Sequence, residues 1–313
     1  MLPSVRYNRG MSKISTPQSE QLPFIVTNTP QVISLVAAII LISTSLVWWT
    51  KVHNNPRRVF EGMLNNNLST ASVTRTTTAS DGSGLDKQEQ VSFVPPYGMH
   101  SIVTVTQEGS DISSSRVVTE TIGTLAEDYS RYLSINTTQK GKSGKQLDFR
   151  SIQGTWGKTG IENGNPKYFS QSILGLIPFA NLDTKTRQDT LNQLNSNKTY
   201  VVDYSKVKPS KYKGKSALVF PVKVDAKGYV GVLKKLSKNL GVADTNGLDP
   251  ESYAGQPPIE ISITVDKASR HVLEVTYGQQ KEVYSSHGLS LPVQTPTKSI
   301  PVDQLQQKVR EIQ

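Results

Sequence analysis

The chain has 313 residues, a formal net charge of +10 and no cysteine. The absence of cysteine excludes disulfide bonds, thiol catalysis, iron–sulfur clusters and thiolate zinc sites. The charge is uneven, because residues 198–238 hold eleven lysines and two aspartates while the rest of the chain is near neutral.

The first predicted element is a long apolar helix near the N-terminus. Val32 to Trp49 is a run of 18 residues without a charged side chain, and such a helix is about 27 Å long, close to the roughly 30 Å hydrocarbon core of a bilayer. We therefore predict a transmembrane helix over residues 31–50, preceded by a disordered segment over residues 1–30. A cleaved export signal is the main alternative, but a long segment precedes the run and only Ser43–Ser45 offers a weak cleavage pattern.

The flanking basic residues leave the orientation of this helix open, since they lie on both sides of it. The part of the chain that follows is rich in Thr, Ser, Asn and Lys. This composition favours a single-pass protein of the cell membrane with an extracytoplasmic C-terminal domain.

A helix and a series of short strands are predicted next. Asn55 and Pro56 are typical of a helix start, and residues 56–68 carry an apolar stripe at helical spacing. β-Branched stretches separated by turn residues follow, which is typical of antiparallel strands and not of alternating βαβ units.

The second half of the domain combines an apolar stretch, helices and a hairpin. Residues 170–182 are the most apolar stretch, and an amphipathic helix is predicted over residues 226–242. Residues 257–278 alternate apolar and polar side chains around a turn, so they predict a hairpin with one buried face that includes Ile259. We predict one α+β domain over residues 56–288 and a polar C-terminal tail with a short helix over residues 289–313.

Short phrases of the sequence resemble a known superfamily. The hairpin TVDKASRHVLEV and the segment YVVDYSKVK…KGKSALVFPVKV are similar to segments of the bacterial lipoprotein carriers, the LolA/LppX-like half-barrels. The phrases PRRVFEGMLNNNL and LIPFANLDTKTRQ also resemble single-pass membrane proteins of Saccharibacteria-type bacteria. The resemblance implies a curved antiparallel sheet, a half-barrel, packed on a few helices and able to enclose a hydrophobic ligand.

A search for catalytic motifs favours a protein that is not an enzyme and needs no cofactor. His53, His100, His271 and His287 are scattered and form no HExxH or other close metal-ligand pair. The sequence contains no G-x-S-x-G elbow.

Two binding hypotheses remain. The first is an apolar cavity for a lipid, with an ordinary hydrophobic core as the alternative interpretation; its residues are Leu174, Leu176, Ile177, Phe179, Leu182, Tyr229, Leu233 and Leu236. The second is a surface for an anionic envelope polymer or lipid headgroups, with a merely solvated face as the alternative; its residues are Lys206, Lys208, Lys211, Lys213 and Lys215. Sequence-specific nucleic-acid binding is not expected, because no reading motif accompanies the lysines.

Overall fold

The computed structural model describes residues 29–48, 55–79, 84–107, 114–161, 166–242, 245, 247–289 and 292–313. Two compact units divide the chain, Met1–Val52 and His53–Gln313. Residues 1–28, which make up most of the predicted disordered segment, lie outside the described residues.

The first unit contains one described helix, α1, over Thr29–Val47. In the part of the chain that the structure describes, no helix was found that is both long and apolar enough to cross a membrane. The transmembrane helix predicted over residues 31–50 is therefore not supported by the structure and stays a prediction from the sequence. Trp49 and Thr50 lie outside the described residues.

The second unit is an α+β domain that contains thirteen described strands and five described α-helices. The strands are β1 (Ser72–Ala79), β2 (Leu85–Ser92), β3 (Gly98–Gln107), β4 (Ser115–Thr124), β5 (Glu127–Thr137), β6 (Gly157–Gly160), β7 (Tyr200–Val202), β8 (Lys208–Tyr212), β9 (Lys215–Val224), β10 (Ile259–Asp266), β11 (Val272–Tyr277), β12 (Gln280–Ser285) and β13 (Ile300–Pro301). The helices are α2 (Pro56–Asn67), α3 (Tyr168–Ser172), α4 (Thr184–Ser196), α5 (Ala226–Asn239) and α6 (Val302–Ile312). Short 3-10 turns cover Tyr204–Lys206 and Pro250–Tyr253.

All these strands belong to one curved, unclosed sheet. Its order is β13-β6-β5-β4-β3-β2-β1-β12-β11-β10-β9-β7, and β8 also pairs with β9. The pairing is antiparallel everywhere except between β13 and β6, which are parallel. The prediction of an α+β domain with a curved antiparallel sheet is confirmed.

The main core lies between the inner face of this sheet and the helices. The side chain of Asn55 accepts a hydrogen bond from the Arg57 N–H at 3.0 Å and caps α2, and Pro56 occupies the first turn. The apolar stripe predicted on this helix is buried. Within it, Phe60 packs against Phe220 of β9 with ring centroids 5.5 Å apart. Burial of one such side chain contributes about 1.5–3 kcal/mol.

The predicted hairpin is β10–β11, and most of its buried face is confirmed. Ile261, Ile263 and Val265 are buried in the main core. Ile259 differs from the prediction, since it remains 40% exposed. It is the first residue of its strand, and although Val224 directly opposite it is fully buried, alternation alone does not bury Ile259.

The C-terminal segment is held in the fold by a second, smaller core. Leu305 of α6 packs with Phe149 and Ile152. A Cβ atom at Gly157 would lie 2.8 Å from Leu305 Cδ2, so a side chain at this position would displace the end of Leu305. The tail that the sequence presents as polar therefore carries an apolar helix face and an edge strand.

Five connecting segments lie at one end of the sheet, and we call this end the rim. They are residues 93–97, 125–126, 213–214, 267–271 and 286–289. Helix α2 runs toward this rim from the opposite end of the domain. Arg57 near its start lies over the Tyr204 ring, 5.4 Å from the centroid, and Asn66 near its end donates a hydrogen bond to the Ser269 carbonyl at 2.9 Å.

Candidate functional site

An apolar groove opens at the rim between the β4–β5 turn, α3 and the C-terminal end of α5. Its volume is about 530 Å³. Five polar residues line it, Thr124, Lys167, Ser170, Gln171 and Ser237, together with Gly247. The other seven lining residues are apolar: Leu125, Ile161, Pro166, Phe169, Leu174, Val242 and Leu248. Three of them, Leu125, Ile161 and Leu174, are exposed to solvent, with Ile161 at 66% and Leu174 at 41%.

The start of the α3 wall is held by a carboxylate from the sheet. Asp128 accepts the backbone N–H groups of Lys167 at 2.6 Å and Tyr168 at 3.1 Å. Burial raises the pKa of Asp128 above its ordinary value, although these two hydrogen bonds oppose the change. A Cβ atom at Gly123 would lie 2.7 Å from the backbone nitrogen of Phe169, so α3 reaches the sheet where a side chain is missing.

The end of the same wall is held by side chains from four other elements. The Ser172 hydroxyl donates to Glu89 Oε1 at 2.6 Å, and Arg75 donates to the Ser172 carbonyl at 3.1 Å. Beyond the helix, the Tyr200 hydroxyl donates to the Leu176 carbonyl at 2.8 Å, and the Tyr229 hydroxyl donates to the Gly175 carbonyl. The wall is thus fixed at both ends.

A buried ion-pair cluster contains Arg75 and Glu89, two of the side chains that hold the end of the α3 wall. Arg75 of β1 and Glu89 of β2 are directly opposite in the sheet and form an ion pair; Glu89 is 0% exposed. Lys87 Nζ lies 2.6 Å from Glu89, and Arg75 Nη1 lies 4.0 Å from Glu282. Burial alone would raise the pKa of Glu89, but the charges of Arg75 and Lys87 outweigh it and the pKa is lowered.

Sequence reasoning missed this cluster, although a signal for it exists. Arg75 is in phase with the buried Val73, and Glu89 is in phase with the buried Val91. In an antiparallel strand, a charged residue in phase with buried apolar neighbours predicts an inward-facing charge. Its partner cannot be read from one strand alone.

The predicted apolar cavity residues fall in two places. Leu174 lines the groove, whereas Leu176 packs at the edge of the main core. The other six are buried in that core: Ile177, Phe179, Leu182, Tyr229, Leu233 and Leu236. The void next to Ile177 and Phe179 measures only about 10 Å³, which is room for one water molecule at most.

The five predicted lysines are all exposed, and they lie on the 3-10 turn, on β8, in the β8–β9 turn and at the start of β9. Lys206 pairs with Asp203 at 3.1 Å. Within the described ranges, Lys208, Lys211, Lys213 and Lys215 have no acidic partner within ion-pair distance.

Two of the scattered histidines meet at the rim. The rings of His271 and His287 are stacked, with centroids 4.3 Å apart and an interplanar angle of 10°. Burial, the neighbouring His271 and Lys215 together lower the pKa of His287 to about 4. Among the residues that the structure describes, no cluster of three or more His, Asp or Glu side chains that could hold a metal ion was found.

The domain is thus an α+β domain with a largely antiparallel open sheet and a mostly apolar groove at its rim. No protein-family model and no curated protein matches the chain. Among solved structures, LprF from Mycobacterium bovis is similar over 76% of this chain and 95% of that chain, with 11% sequence identity and a TM-score of 0.40. Membership of the lipoprotein-carrier superfamily stays a prediction.

Proposed function

We propose that this domain is a noncatalytic binding protein that holds an apolar ligand, such as an acyl chain, in the rim groove. The observation that carries the proposal is a 530 Å³ concavity whose exposed wall includes Leu125, Ile161 and Leu174. Small-molecule sites are typically concave, mostly apolar and about 300–1,000 Å³ in volume. Contiguous apolar surface left open to water commonly marks such a site.

The expected affinity follows from the area that a chain would bury. Each methylene moved from water into the groove contributes about 0.8 kcal/mol. Eight to ten methylenes therefore give roughly 6–8 kcal/mol before the cost of immobilising the ligand. Because that cost reduces the total, we expect micromolar or weaker binding for a simple fatty chain.

Replacing Leu174 by glutamate is expected to weaken binding of a fluorescent acyl-chain probe by at least about tenfold, because a carboxylate would have to be desolvated beside the ligand. The measurement is a probe titration of the unit His53–Gln313, together with native mass spectrometry and lipid extraction. Ile259→Glu is the matched control, since Ile259 is 40% exposed against 41% for Leu174 but lies at the end of the domain opposite the rim. Equal weakening by both variants, or no binding to the folded wild type, would refute the groove as a site.

We also propose that residues 31–50 anchor the protein in the cell membrane and that the domain lies outside the cytoplasm. The support is the uncharged run from Val32 to Trp49. The full chain is expected to stay with the membrane fraction after alkaline carbonate extraction, and its domain is expected to be digested by protease added to intact spheroplasts. Replacing Ile39 and Ile40 by lysine should release the protein, because each charge at the centre of a span costs about 2.5–3.5 kcal/mol. Extraction of the wild type by carbonate would contradict the anchor.

A further inference from the structure

The rim also carries a fixed basic cluster, which begins at the β8–β9 turn. Lys213 and Gly214 both have positive φ, 47° and 82°, and Tyr212 pairs with Lys215 across them. Positive φ at both central residues is the signature of a tight two-residue hairpin turn. Lys211, Lys213 and Lys215 are therefore held around a rigid tip and do not lie on a loose loop.

A fourth lysine joins them from a different hairpin. The backbone N–H of Lys267, in the β10–β11 turn, donates to the Ser216 carbonyl at 3.0 Å. Ser216 is also directly opposite Lys211 in the sheet. Lys211 and Lys267 thus flank one residue, about 10 Å apart at the spacing of adjacent strands. We call Lys211, Lys213, Lys215 and Lys267 the basic corner.

The acidic groups near the basic corner are already engaged. Asp266 is buried and accepts the N–H groups of Ala268 at 2.8 Å and Ser269 at 3.1 Å. Glu274 pairs with Lys281 at 2.7 Å. Among the described residues no acidic group lies within ion-pair distance of the four lysines. Lys211, Lys213 and Lys215 are exposed and Lys267 is half-buried, and Lys213 Nζ lies 5.6 Å from the centroid of the Tyr212 ring.

An exposed apolar side chain lies on the same rim as these charges. The stacked rings of His271 and His287 join the Lys267 turn to the segment after β12. In that segment Leu289 is 65% exposed, and the preceding Gly288 N–H is bound to the Ser72 carbonyl at 2.8 Å. Lysines next to an exposed leucine suit a lipid surface, because headgroups attract the charges while the apolar group enters the interface. An anionic polymer in water would leave Leu289 without a partner.

We propose that the rim docks on an anionic lipid surface through the basic corner and Leu289. Headgroup phosphates face the four lysines, and the same rim presents Leu125 at the mouth of the groove. This docking is a second activity of the rim and does not depend on whether the groove holds a ligand.

Cosedimentation of the unit His53–Gln313 with vesicles tests the proposal, since this unit is compact and has its own cores. Phosphatidylcholine vesicles with and without phosphatidylglycerol are compared at low and at physiological salt. The test variant is Lys211→Glu/Lys213→Glu/Lys267→Glu. The matched control is Lys206→Glu/Lys223→Glu/Lys227→Glu, which changes the net charge equally at ion-paired lysines away from the rim. Thermal unfolding checks that each variant is folded.

The wild type is expected to bind only the anionic vesicles and to lose affinity as salt rises. Each lysine near an anionic surface contributes about fivefold, so the rim triple variant should bind more than about 100-fold more weakly while the control stays within about tenfold. If both triple variants lose vesicle binding equally, net charge alone explains the loss and the proposal is overturned. Failure of the wild type to bind anionic vesicles would also overturn the proposal.

Leu289→Ser separates a lipid surface from an anionic polymer. We expect it to weaken vesicle binding severalfold and to leave binding to soluble polyphosphate unchanged. If Leu289→Ser binds vesicles as the wild type does, and polyphosphate binds as tightly as vesicles, the surface is a polymer site and the lipid proposal is wrong. Leu174→Ser, which changes the groove without adding charge, should still bind anionic vesicles.

Discussion

Replacing Glu89 by alanine is expected to lower the free energy of unfolding by about 3–5 kcal/mol, because the change leaves buried positive charge without a partner. Glu89 is fully buried, pairs with Arg75 and Lys87, and accepts the Ser172 hydroxyl. Its loss also removes one support of the α3 wall, so binding in the groove should weaken along with stability. Urea unfolding followed by circular dichroism measures the first effect, and a probe titration measures the second.

An exposed ion pair of the same sheet provides the control for this substitution. Lys223 and Glu260 lie 3.1 Å apart on adjacent strands, and the Glu260 side chain is 75% exposed. Pairs of this kind contribute about 0–1 kcal/mol, so Glu260→Ala should be almost neutral. If the two alanine variants lose similar free energies of unfolding, burial of the Arg75–Glu89 pair does not make that pair more important for stability than an exposed one.

Acidification from pH 6.5 to 4.5 is expected to destabilise the domain by about 1 to 2 kcal/mol through His287, with allowance for its partial exposure. Burial, His271 and Lys215 lower the pKa of His287 to about 4, whereas an unfolded histidine titrates near 6.5. The pKa of His271 is lowered as well, chiefly by burial, although Asp266 opposes the change. Between these pH values the unfolded state binds more protons, so stability is greatest above 6.5 and falls toward 4.

The variant His287→Phe isolates this effect, because it keeps a ring between Phe179 and His271 but cannot take up a proton. Its free energy of unfolding should fall less than that of the wild type over the same pH range. The lowered pKa of Glu89 places the loss of its contribution below about 4.3, outside this window. Parallel pH curves for the two proteins would contradict the prediction.

The parts of the fold that follow from local periodicity could be predicted from the sequence. The apolar stripe of α2 and the alternation in β10 are short-range patterns, and both bury the side chains that they indicate, with Ile259 as the exception at a strand end. The main core likewise takes in Leu233 and Leu236 of α5. Such patterns report which side of an element is apolar and give no information on whether that side meets another element or a ligand.

Features that depend on strand register could not be predicted in this way. The Arg75–Glu89 pair requires β1 and β2 to align at one register, and Lys267 reaches the basic corner only because its turn pairs with Ser216. The groove illustrates the same limit. Leu174 lies in an apolar stretch with Ile177 and Phe179, but the chain turns at Gly175, so Leu174 faces solvent while the other two enter the core.

The two edges of the sheet bear on how the protein behaves at high concentration. An open sheet presents unpaired backbone groups at each edge, and long flat edges invite pairing between molecules. Here one edge ends in the three-residue strand β7 and in β8, which contains Lys208, Pro209 and Lys211. The other edge is the two-residue strand β13, which pairs with the four-residue strand β6 and leads directly into α6. Edges that are short, charged, proline-bearing or covered disfavour pairing of the sheet with a second copy of the chain. The C-terminal segment is therefore expected to limit fibre formation as well as to complete the fold.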